Sequence, residues 1–260
     1  MSVEIVERVR RSSRYRDVDP AMLARLAEEE LARSRTVDEA VKRVKRRLHQ
    51  AVGAFRGAPT GPSVAGDRQS QQDAALAAMR RHASTAERIP HLDRFHAAIW
   101  AHTGVPTSVV DLGCGLHPLS VPWMGIGDAA YSAVDVDGRA LAAVGAFLEG
   151  WGQPHRLVAR DLVADPTSDP ADVAFLLKLV TTLDRQDPHA ADRVLAGLRA
   201  RHAVVSFAAR SLGGRGEGRA ATYRQRLDRL VAGSDRVRGV AEVSIPSELV
   251  FVLSLEARHG

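Results

Sequence analysis

The chain has very little cysteine and no long uninterrupted run of apolar residues. Its single cysteine, Cys114, cannot form an intrachain disulfide, and it excludes a metal site built from several cysteines. No segment approaches the roughly 20 apolar residues that a membrane-spanning helix needs, and the amino terminus lacks the apolar core of a secretory signal peptide. We therefore expect a cytoplasmic protein with no metal site and no membrane partner.

The excess of positive over negative charge is also small, since the net charge is only +5 over 260 residues. Its distribution is uneven: residues 1–56 contain 14 Lys or Arg against 9 Asp or Glu, and this excess of five equals that of the whole chain. With 45% hydrophobic residues, the chain is long enough for one large domain and a smaller accessory one. The basic first segment is thus the place to look for an anionic partner.

A helical pattern runs through the basic segment. Apolar residues recur there at steps of four and three, at Val37, Val41, Val44 and Leu48. Thr36 followed by Glu39 is the sequence pattern of a capping box at the start of this helix. The opposite face carries five cations, at Lys42, Arg43, Lys45, Arg46 and Arg47. Such a stripe is either a solvated helix face or a surface for phosphate groups.

Beyond a linker at 56–66 that is rich in Gly, Pro, Ser and Thr, the pattern predicts helices near 67–82 and 86–102 and then alternating strands and helices. The predicted strands are 108–113, 131–136, 155–160, 171–180, 202–208, 237–245 and 248–255. Only two residues separate the last two, which should therefore pair antiparallel. A mostly parallel α/β sheet that ends in an antiparallel hairpin resembles the Rossmann-like fold of class I S-adenosylmethionine-dependent methyltransferases.

The end of the first predicted strand is rich in glycine. Gly113 and Gly115 lie at a strand-to-helix turn, where backbone can approach a ligand closely because no side chain intervenes. Pro118 stands where a dinucleotide-binding loop would have its third glycine, and this favours a methyltransferase over a dinucleotide enzyme. A turn without a ligand is the alternative reading of these glycines.

Acidic residues follow the next two strands in the order that a nucleoside cofactor requires. Asp135 ends the second strand and could accept hydrogen bonds from two ribose hydroxyls. Asp161 and Leu162 follow the third strand, where a carboxylate can meet the adenine amino group and an apolar neighbour can cover the ring. With the glycine loop, these positions predict S-adenosylmethionine as the cofactor.

Three segments give a more specific resemblance. They are His82–Arg88 (HASTAER), Asp111–Leu119 (DLGCGLHPL) and Arg210–Gly216 (RSLGGRG). These segments look like those of the aminoglycoside-resistance 16S rRNA (guanine-N7) methyltransferases of antibiotic producers and resistant bacteria. Weaker similarity extends over nearly the whole chain, at Tyr15-Arg16, Arg47–His49, Leu177–Leu179 and Glu248-Leu249.

The resemblance implies a reaction and a partner. It implies transfer of a methyl group from S-adenosylmethionine to N7 of guanine 1405, in the decoding A-site of 16S rRNA, which would confer aminoglycoside resistance. The implied substrate is the assembled 30S subunit, and we expect the enzyme to be a monomer. Residues 1–66, with a helical extension to about 102 as an option, should dock on the rRNA, and residues 67–260 should form the methyltransferase domain.

The resemblance also implies a set of cofactor-binding residues. They are Phe55, His82, Ala83, Ser84, Arg88, Gly113, Gly115, Asp135, Asp161, Leu162, Leu177 and Gln186. Phe55 and the segment 82–88 should line the methionine end, with Arg88 pairing the cofactor carboxylate as a charge-assisted fork. Leu177 and Gln186 should complete the pocket.

No catalytic residue is predicted, because guanine N7 has a lone pair in the ring plane and no proton, and needs no general base. Cys114, inside the glycine loop, is expected to be a packing residue. Seven cations are predicted to bind RNA, namely Lys42, Arg43, Arg46, Arg47, Arg210, Arg215 and Arg219. The first four should dock on the rRNA backbone by shape, and the last three should lie near the target base.

Two alternatives differ from this prediction. The enzyme could methylate another acceptor, either adenine N1 in the same decoding region or a small molecule. The segments around His82–Thr85 and Ser211–Gly216 argue against the adenine target, and a small-molecule enzyme would have little use for the basic helical extension. The second alternative is a non-enzymatic RNA-binding protein on a methyltransferase scaffold. The intact glycine loop, Asp135, Asp161 and Arg88 argue against it.

Overall fold

A seven-stranded sheet forms the centre of the protein in the computed structural model, which describes residues 1–52, 66–208, 216–246 and 248–256, with the backbone alone at 216–219. The strands are β1 (Ser108–Leu112), β2 (Ala130–Asp135), β3 (His155–Ala159), β4 (Ala171–Leu177), β5 (Ala200–Ala208), β6 (Val237–Ile245) and β7 (Glu248–Leu255). Their order across the sheet is β3-β2-β1-β4-β5-β7-β6. The strand order thus runs outward from β1 in both directions, through β2 and β3 on one side and from β4 onward on the other, as in a doubly wound fold.

The strand directions confirm the predicted hairpin. Strands β3, β2, β1, β4 and β5 pair parallel, whereas β7 pairs antiparallel with both β5 and β6. The predicted bounds hold to within two residues except at one end: β4 stops at Leu177, not at residue 180. It stops there because Lys178 adopts a left-handed φ of +58°, which an extended strand cannot continue.

Helices cover both faces of the sheet. They are α4 (Arg68–Arg80), α5 (Ala83–Ala86), α6 (Leu92–Thr103), α7 (Gly138–Trp151), α8 (Val180–Asp184), α9 (Ala190–Gly197) and α10 (Gly216–Ala232), with 3-10 turns at Ile89–His91 and His117–Trp123. The helix predicted over 86–102 begins only at Leu92, because the short α5 and the first 3-10 turn precede it. Helices α4 and α6 pack Met79, Phe95 and Ile99 into the core of the sheet.

The first 52 residues form a separate three-helix unit with its own core. It comprises α1 (Ser2–Arg10), α2 (Pro20–Leu31) and α3 (Val37–Val52), which bury Leu23, Leu26 and Leu48 between them. The predicted cap of α3 is present, because the amide of Glu39 donates to Thr36 Oγ1 at 3.2 Å. Helices α4 and α6 pack against the sheet, and the optional extension of the helical unit to about 102 stays a prediction. The linker 56–66 lies almost entirely outside the described residues, and the boundary at 66 stays a prediction.

The three-helix unit docks beside the carboxyl end of β2. The amide of Asp19 donates to the carbonyl of Val136 at 2.8 Å, and the amide of Gly138 donates to the carbonyl of Asp17 at 2.8 Å. A Cβ atom at Gly138 would lie 2.6 Å from that carbonyl oxygen, so only glycine permits this close approach. The docking places α2 and α3 beside the loops that follow β2 and β3. In the described part of the chain, no helix is both long and apolar enough to cross a membrane.

Candidate cofactor pocket

A pocket opens at the carboxyl ends of β1, β2 and β4, the edge where ligands bind in open α/β sheets. Nine of the twelve residues predicted to bind the cofactor line it: His82, Ser84, Gly113, Gly115, Asp135, Asp161, Leu162, Leu177 and Gln186. Ala51 and Val52 of α3 also line it, so the helical unit forms part of its wall. The topology therefore brings together residues that lie up to 135 positions apart in sequence.

Both glycines of the loop after β1 have backbone conformations that favour glycine. Gly113 has φ of +62° and Gly115 has φ of +52°. A Cβ at Gly113 would lie 2.7 Å from Leu179 Cδ1, and one at Gly115 would lie 3.1 Å from the His82 ring. The absence of Cβ atoms thus leaves space for the side chains of Leu179 and His82, which also line the pocket.

Asp135 presents a carboxylate at the end of β2. Its Oδ2 accepts the amide of Gly115 at 2.8 Å, and its Oδ1 accepts the amide of Asp137 at 2.9 Å. Burial raises the pKa of Asp135 to about 6, although these backbone amides act to lower it. The carboxylate is therefore fixed in place by the backbone and titrates near neutral pH.

Asp161 and Gln186 lie together at another part of the wall, and Arg25 of the helical unit binds both. Arg25 Nε donates to Asp161 Oδ2 at 2.6 Å, and Arg25 Nη2 donates to Gln186 Oε1 at 3.0 Å. The second oxygen of Asp161 accepts the amide of Val163 at 3.0 Å. Sequence reasoning missed Arg25, since 136 residues separate it from Asp161 and no local pattern connects them.

His82 and Ser84 lie at the start of α5 and line the pocket. Ser84 Oγ lies 2.9 Å from Nδ1 of His82, and Thr85 Oγ1 lies 3.3 Å from the same nitrogen. Burial lowers the pKa of His82 to about 4, helped by the positive charges of Lys178 and Arg88. His82 is therefore neutral at physiological pH, and it can hydrogen-bond a ligand without adding charge.

Three of the predicted cofactor residues do not line the described pocket. Ala83 is exposed on α5, and Phe55 lies outside the described residues. Arg88 is only 1% exposed, and its guanidinium binds the carboxylate of Glu248 at 2.7 and 2.8 Å while it stacks over Phe95. The predicted partner of Arg88 was the cofactor carboxylate, but in this structure Arg88 is half of a buried ion pair.

The Arg88–Glu248 pair belongs to a larger polar cluster beside the pocket. Lys178, which sequence reasoning did not assign, donates to Glu87 and to the carbonyl of Ser84, each at 2.9 Å. Ser206 Oγ donates to Glu248 at 2.7 Å. Burial acts to raise the pKa of Glu248, but Arg88 and Lys178 outweigh it and hold that pKa below its ordinary value. The cluster joins the 82–88 segment to β4, β5 and β7.

A second buried cluster supports the glycine loop from below. Asp111 accepts hydrogen bonds from Tyr131 Oη and from Nδ1 of His117, both at 2.8 Å.

Burial raises the pKa of Cys114 well above its ordinary value, so its thiol is protonated at neutral pH, as expected of a packing residue. In the described part of the chain, no three His, Cys, Asp or Glu side chains are grouped as a metal site.

The structure divides the cationic stripe of α3 into two kinds of residue. Arg47 binds Glu29 and Glu30 of α2 and also the carbonyl of Gln186, and Arg43 binds Glu30 at 2.5 Å. Lys42 and Arg46 are exposed. Half of the predicted docking residues therefore hold α2 and α3 together. Arg210 and Arg215 lie outside the described residues, as does the side chain of Arg219.

Several further residues line the pocket without having been predicted. They are Ala51, Val52, Val136, Arg160, Lys178, Leu179, Thr182 and Leu183. Val136, Arg160 and Lys178 are adjacent to predicted positions at strand ends, and Leu179 follows Lys178. The rule that ligands bind at the carboxyl ends of parallel strands could have identified them. Nothing local in the sequence marks Ala51 or Val52.

Comparisons with known proteins agree with this geometry. The model of the family described as "Ribosomal RNA methyltransferase (FmrO)" matches residues 11–252. A "16S rRNA (guanine(1405)-N(7))-methyltransferase" of Micromonospora rosea is 37% identical over 264 residues, which cover 96% of this chain and 95% of the relative. The protein of that name in Frankia casuarinae is 36% identical and covers 95% and 91%. The crystal structure of the 16S rRNA methyltransferase RmtF with S-adenosyl-L-homocysteine has a TM-score of 0.82 and 31% identity, covering 98% of each chain.

The buried ion pair gives a prediction about stability. Arg88→Ala leaves the carboxylate of Glu248 buried without its main partner, so we expect the free energy of unfolding to fall by about 3–5 kcal/mol. Chemical denaturation followed by circular dichroism measures this. Arg94→Ala, an exposed arginine of α6, is the matched control and should change stability by less than about 0.5 kcal/mol. An Arg88→Ala protein as stable as the wild type would contradict the prediction.

Proposed function

The chain belongs to the family of ribosomal RNA methyltransferases (FmrO), and from this premise we propose that it transfers a methyl group from S-adenosylmethionine to N7 of guanine 1405 in 16S rRNA. The observation that carries the proposal is identity of 35–37% over at least 95% of the chain to relatives named for this reaction. The pocket supports it, because its glycine floor and its carboxylates suit a nucleoside.

The residues of the pocket fit S-adenosylmethionine along its length. Gly113 and Gly115 line the pocket without side chains, so that their backbone could approach the cofactor closely. Asp135 would accept the ribose hydroxyls, and Asp161 with Leu162 would hold the adenine. His82 and Ser84 would lie at the methionine end. When bound, the cofactor supplies an electrophilic methyl group on a sulfonium.

The protein contributes position rather than proton transfer. Guanine N7 attacks through a lone pair and releases no proton, so the protonated thiol of Cys114 and the neutral ring of His82 are not needed as bases. Correct alignment of two reactants can lower a barrier by roughly 7–11 kcal/mol. The fixed carboxylate of Asp135 and the buried cluster around Glu248 give the pocket the rigidity that such alignment requires.

The target base must be turned out of its stack to reach the pocket. We assign contact with the base and nearby phosphates to Arg210, Arg215 and Arg219, which precede or begin α10. Helix α10 is anchored to the sheet domain, because Arg226 binds Asp184 at 2.7 Å and Asp192 at 3.1 Å. These ion pairs would hold the middle of α10 while its beginning meets RNA.

Three finer assignments are part of the proposal. The substrate is the assembled 30S subunit rather than free rRNA, because the exposed cations of α3 suit docking on a folded RNA surface by shape. The enzyme acts as a monomer in the cytoplasm, where ribosomal subunits are found. The modified base lies in the aminoglycoside-binding site, so methylation confers resistance.

The proposal is tested by transfer of labelled methyl from S-adenosylmethionine to purified 30S subunits of an unmodified strain. We expect one modification per subunit, mapped to N7 of guanine 1405, and little transfer to free 16S rRNA. Label on an adenine would move the target to the neighbouring base. No transfer to 30S subunits despite measurable cofactor binding would overturn the rRNA assignment.

The exposed cations of α3 carry a second prediction. Lys42→Glu with Arg46→Glu should weaken 30S binding by at least about tenfold, because two phosphate contacts are replaced by repulsion. Affinity for S-adenosylmethionine should stay within about twofold of the wild type. The matched control is Arg33→Glu with Arg35→Glu, which makes the same charge change before α3. Fluorescence anisotropy with labelled protein measures the 30S affinity, and calorimetric titration measures the cofactor affinity. An unchanged 30S affinity would exclude docking through this face.

The raised pKa of Asp135 predicts a pH dependence of cofactor binding. Ribose hydroxyls donate best to the ionised carboxylate, so affinity for S-adenosylmethionine should be about half its high-pH value at pH 6 and fall by up to tenfold per pH unit below that. His82 titrates near pH 4 and does not contribute in this window. Calorimetric titration between pH 5 and 8 measures the profile. Asp135→Asn should bind more weakly and without this dependence; a profile shared by the two proteins would refute the assignment.

A further inference from the structure

The contacts of Arg25 lead beyond the proposed function. Arg25 lies on α2 in the three-helix unit, yet its guanidinium reaches two pocket residues that follow β3 and α8. Its side chain is 16% exposed, and the Asp161 side chain is 3% exposed. Nη1 of Arg25 is held by Glu29 at 2.9 Å, one helical turn away. The guanidinium is thus fixed at its own helix and donates to the pocket wall.

Because arginine only donates hydrogen bonds, it determines which atoms of Asp161 and Gln186 face it and which face a ligand. A guanidinium can only donate hydrogen bonds. The oxygen of the Gln186 amide must therefore face Arg25, and the NH₂ group is the end of that amide that is left to serve a ligand. Asp161 is the anionic partner of this ion pair, and carboxylate oxygens can only accept. Arg25 thereby sets an acceptor at Asp161 and a donor at Gln186.

This arrangement matches one edge of a particular base. In adenine the amino group at C6 donates and the neighbouring N1 accepts, and in hypoxanthine O6 accepts and N1–H donates. An acceptor at Asp161 beside a donor at Gln186 therefore suits adenine and opposes hypoxanthine at both positions. We infer that Arg25 is a positioning residue that makes the pocket selective for the adenine base, acting through Asp161 and Gln186. The inference rests on the proposed function, since it takes the pocket to bind an adenosyl cofactor.

The same arginine connects the pocket to the interior of the helical unit. Glu29 binds Arg25 and also Arg47 of α3, and Arg47 donates to the carbonyl of Gln186 at 3.3 Å. Burial acts to lower the pKa of Arg25, but Asp161 and Glu29 outweigh it and raise that pKa. The selective edge is therefore built by two helices of the docking unit together with two loops of the sheet domain.

The test compares two ligands that differ only in this edge, S-adenosylhomocysteine and S-inosylhomocysteine, by isothermal titration calorimetry at pH 7.5. We expect the wild type to prefer the adenosyl ligand by at least about 30-fold. Arg25→Ala should bind the adenosyl ligand about tenfold more weakly, and its preference should fall below about threefold. A structural defect alone would weaken both ligands equally and leave their ratio unchanged.

Two further variants make the outcome decisive. Arg8→Ala removes an arginine that pairs with Asp38 inside the same helical unit, away from the pocket, and should retain the wild-type ratio. Gln186→Glu replaces the donor with an acceptor at nearly constant shape, and should lower the adenosyl preference by at least about tenfold even if Arg25→Ala folds poorly. A wild-type ratio in a folded Arg25→Ala protein, or in Gln186→Glu, would overturn the inference. Failure of the wild type to bind either ligand would instead overturn the proposed function.

Discussion

The pocket region depends on the contacts that the buried carboxylate of Glu248 makes with its neighbours. Glu248 opens β7, and because β7 runs opposite to β5, its first residue lies at the same edge as the last residues of the parallel strands. A parallel strand in that place would bring its carboxyl end there instead. Once buried, the charge needs partners, and Arg88, Lys178 and Ser206 supply them from three other elements. The antiparallel strand thus gives the sheet a charge around which the 82–88 segment is folded.

That cluster accounts for a backbone conformation that would otherwise be costly. Lys178 has a left-handed φ, which costs an ordinary residue roughly 1–2 kcal/mol. Its amide donates to the carbonyl of Ser206 at 3.0 Å and its ammonium to Ser84 and Glu87, so the bend is held at both ends of the residue. The bend ends β4 and turns Leu179 toward Gly113, whose missing Cβ makes space for it. The strained backbone at the end of β4 and the glycine at the end of β1 are therefore complementary parts of one site.

Sequence predicted the parts of the protein that depend on local patterns. Strand periodicity placed all seven strands, and the glycines with Asp135 marked the pocket, because turns and strand ends carry their chemistry in adjacent residues. Contacts between distant elements were missed. Arg25 meets Asp161 only after the helical unit docks, and Arg88 meets Glu248 only after β7 inserts. For Arg88, the resemblance implies the cofactor carboxylate as partner, whereas the partner in this structure is Glu248, which only the topology brings near.

The arginines of α3 show why composition alone overstates a binding surface. Arg43 and Arg47 are one helical turn apart and face α2, where Glu29 and Glu30 neutralise them, whereas Lys42 and Arg46 face solvent. A stripe of five cations is thus partly an internal ion-pair network, and its inner half reaches Gln186 at the pocket. Arg43 and Arg47, predicted to bind RNA, instead order the helices that present the remaining charge. The surface for the large substrate and the wall of the small-molecule pocket are consequently two faces of the same pair of helices.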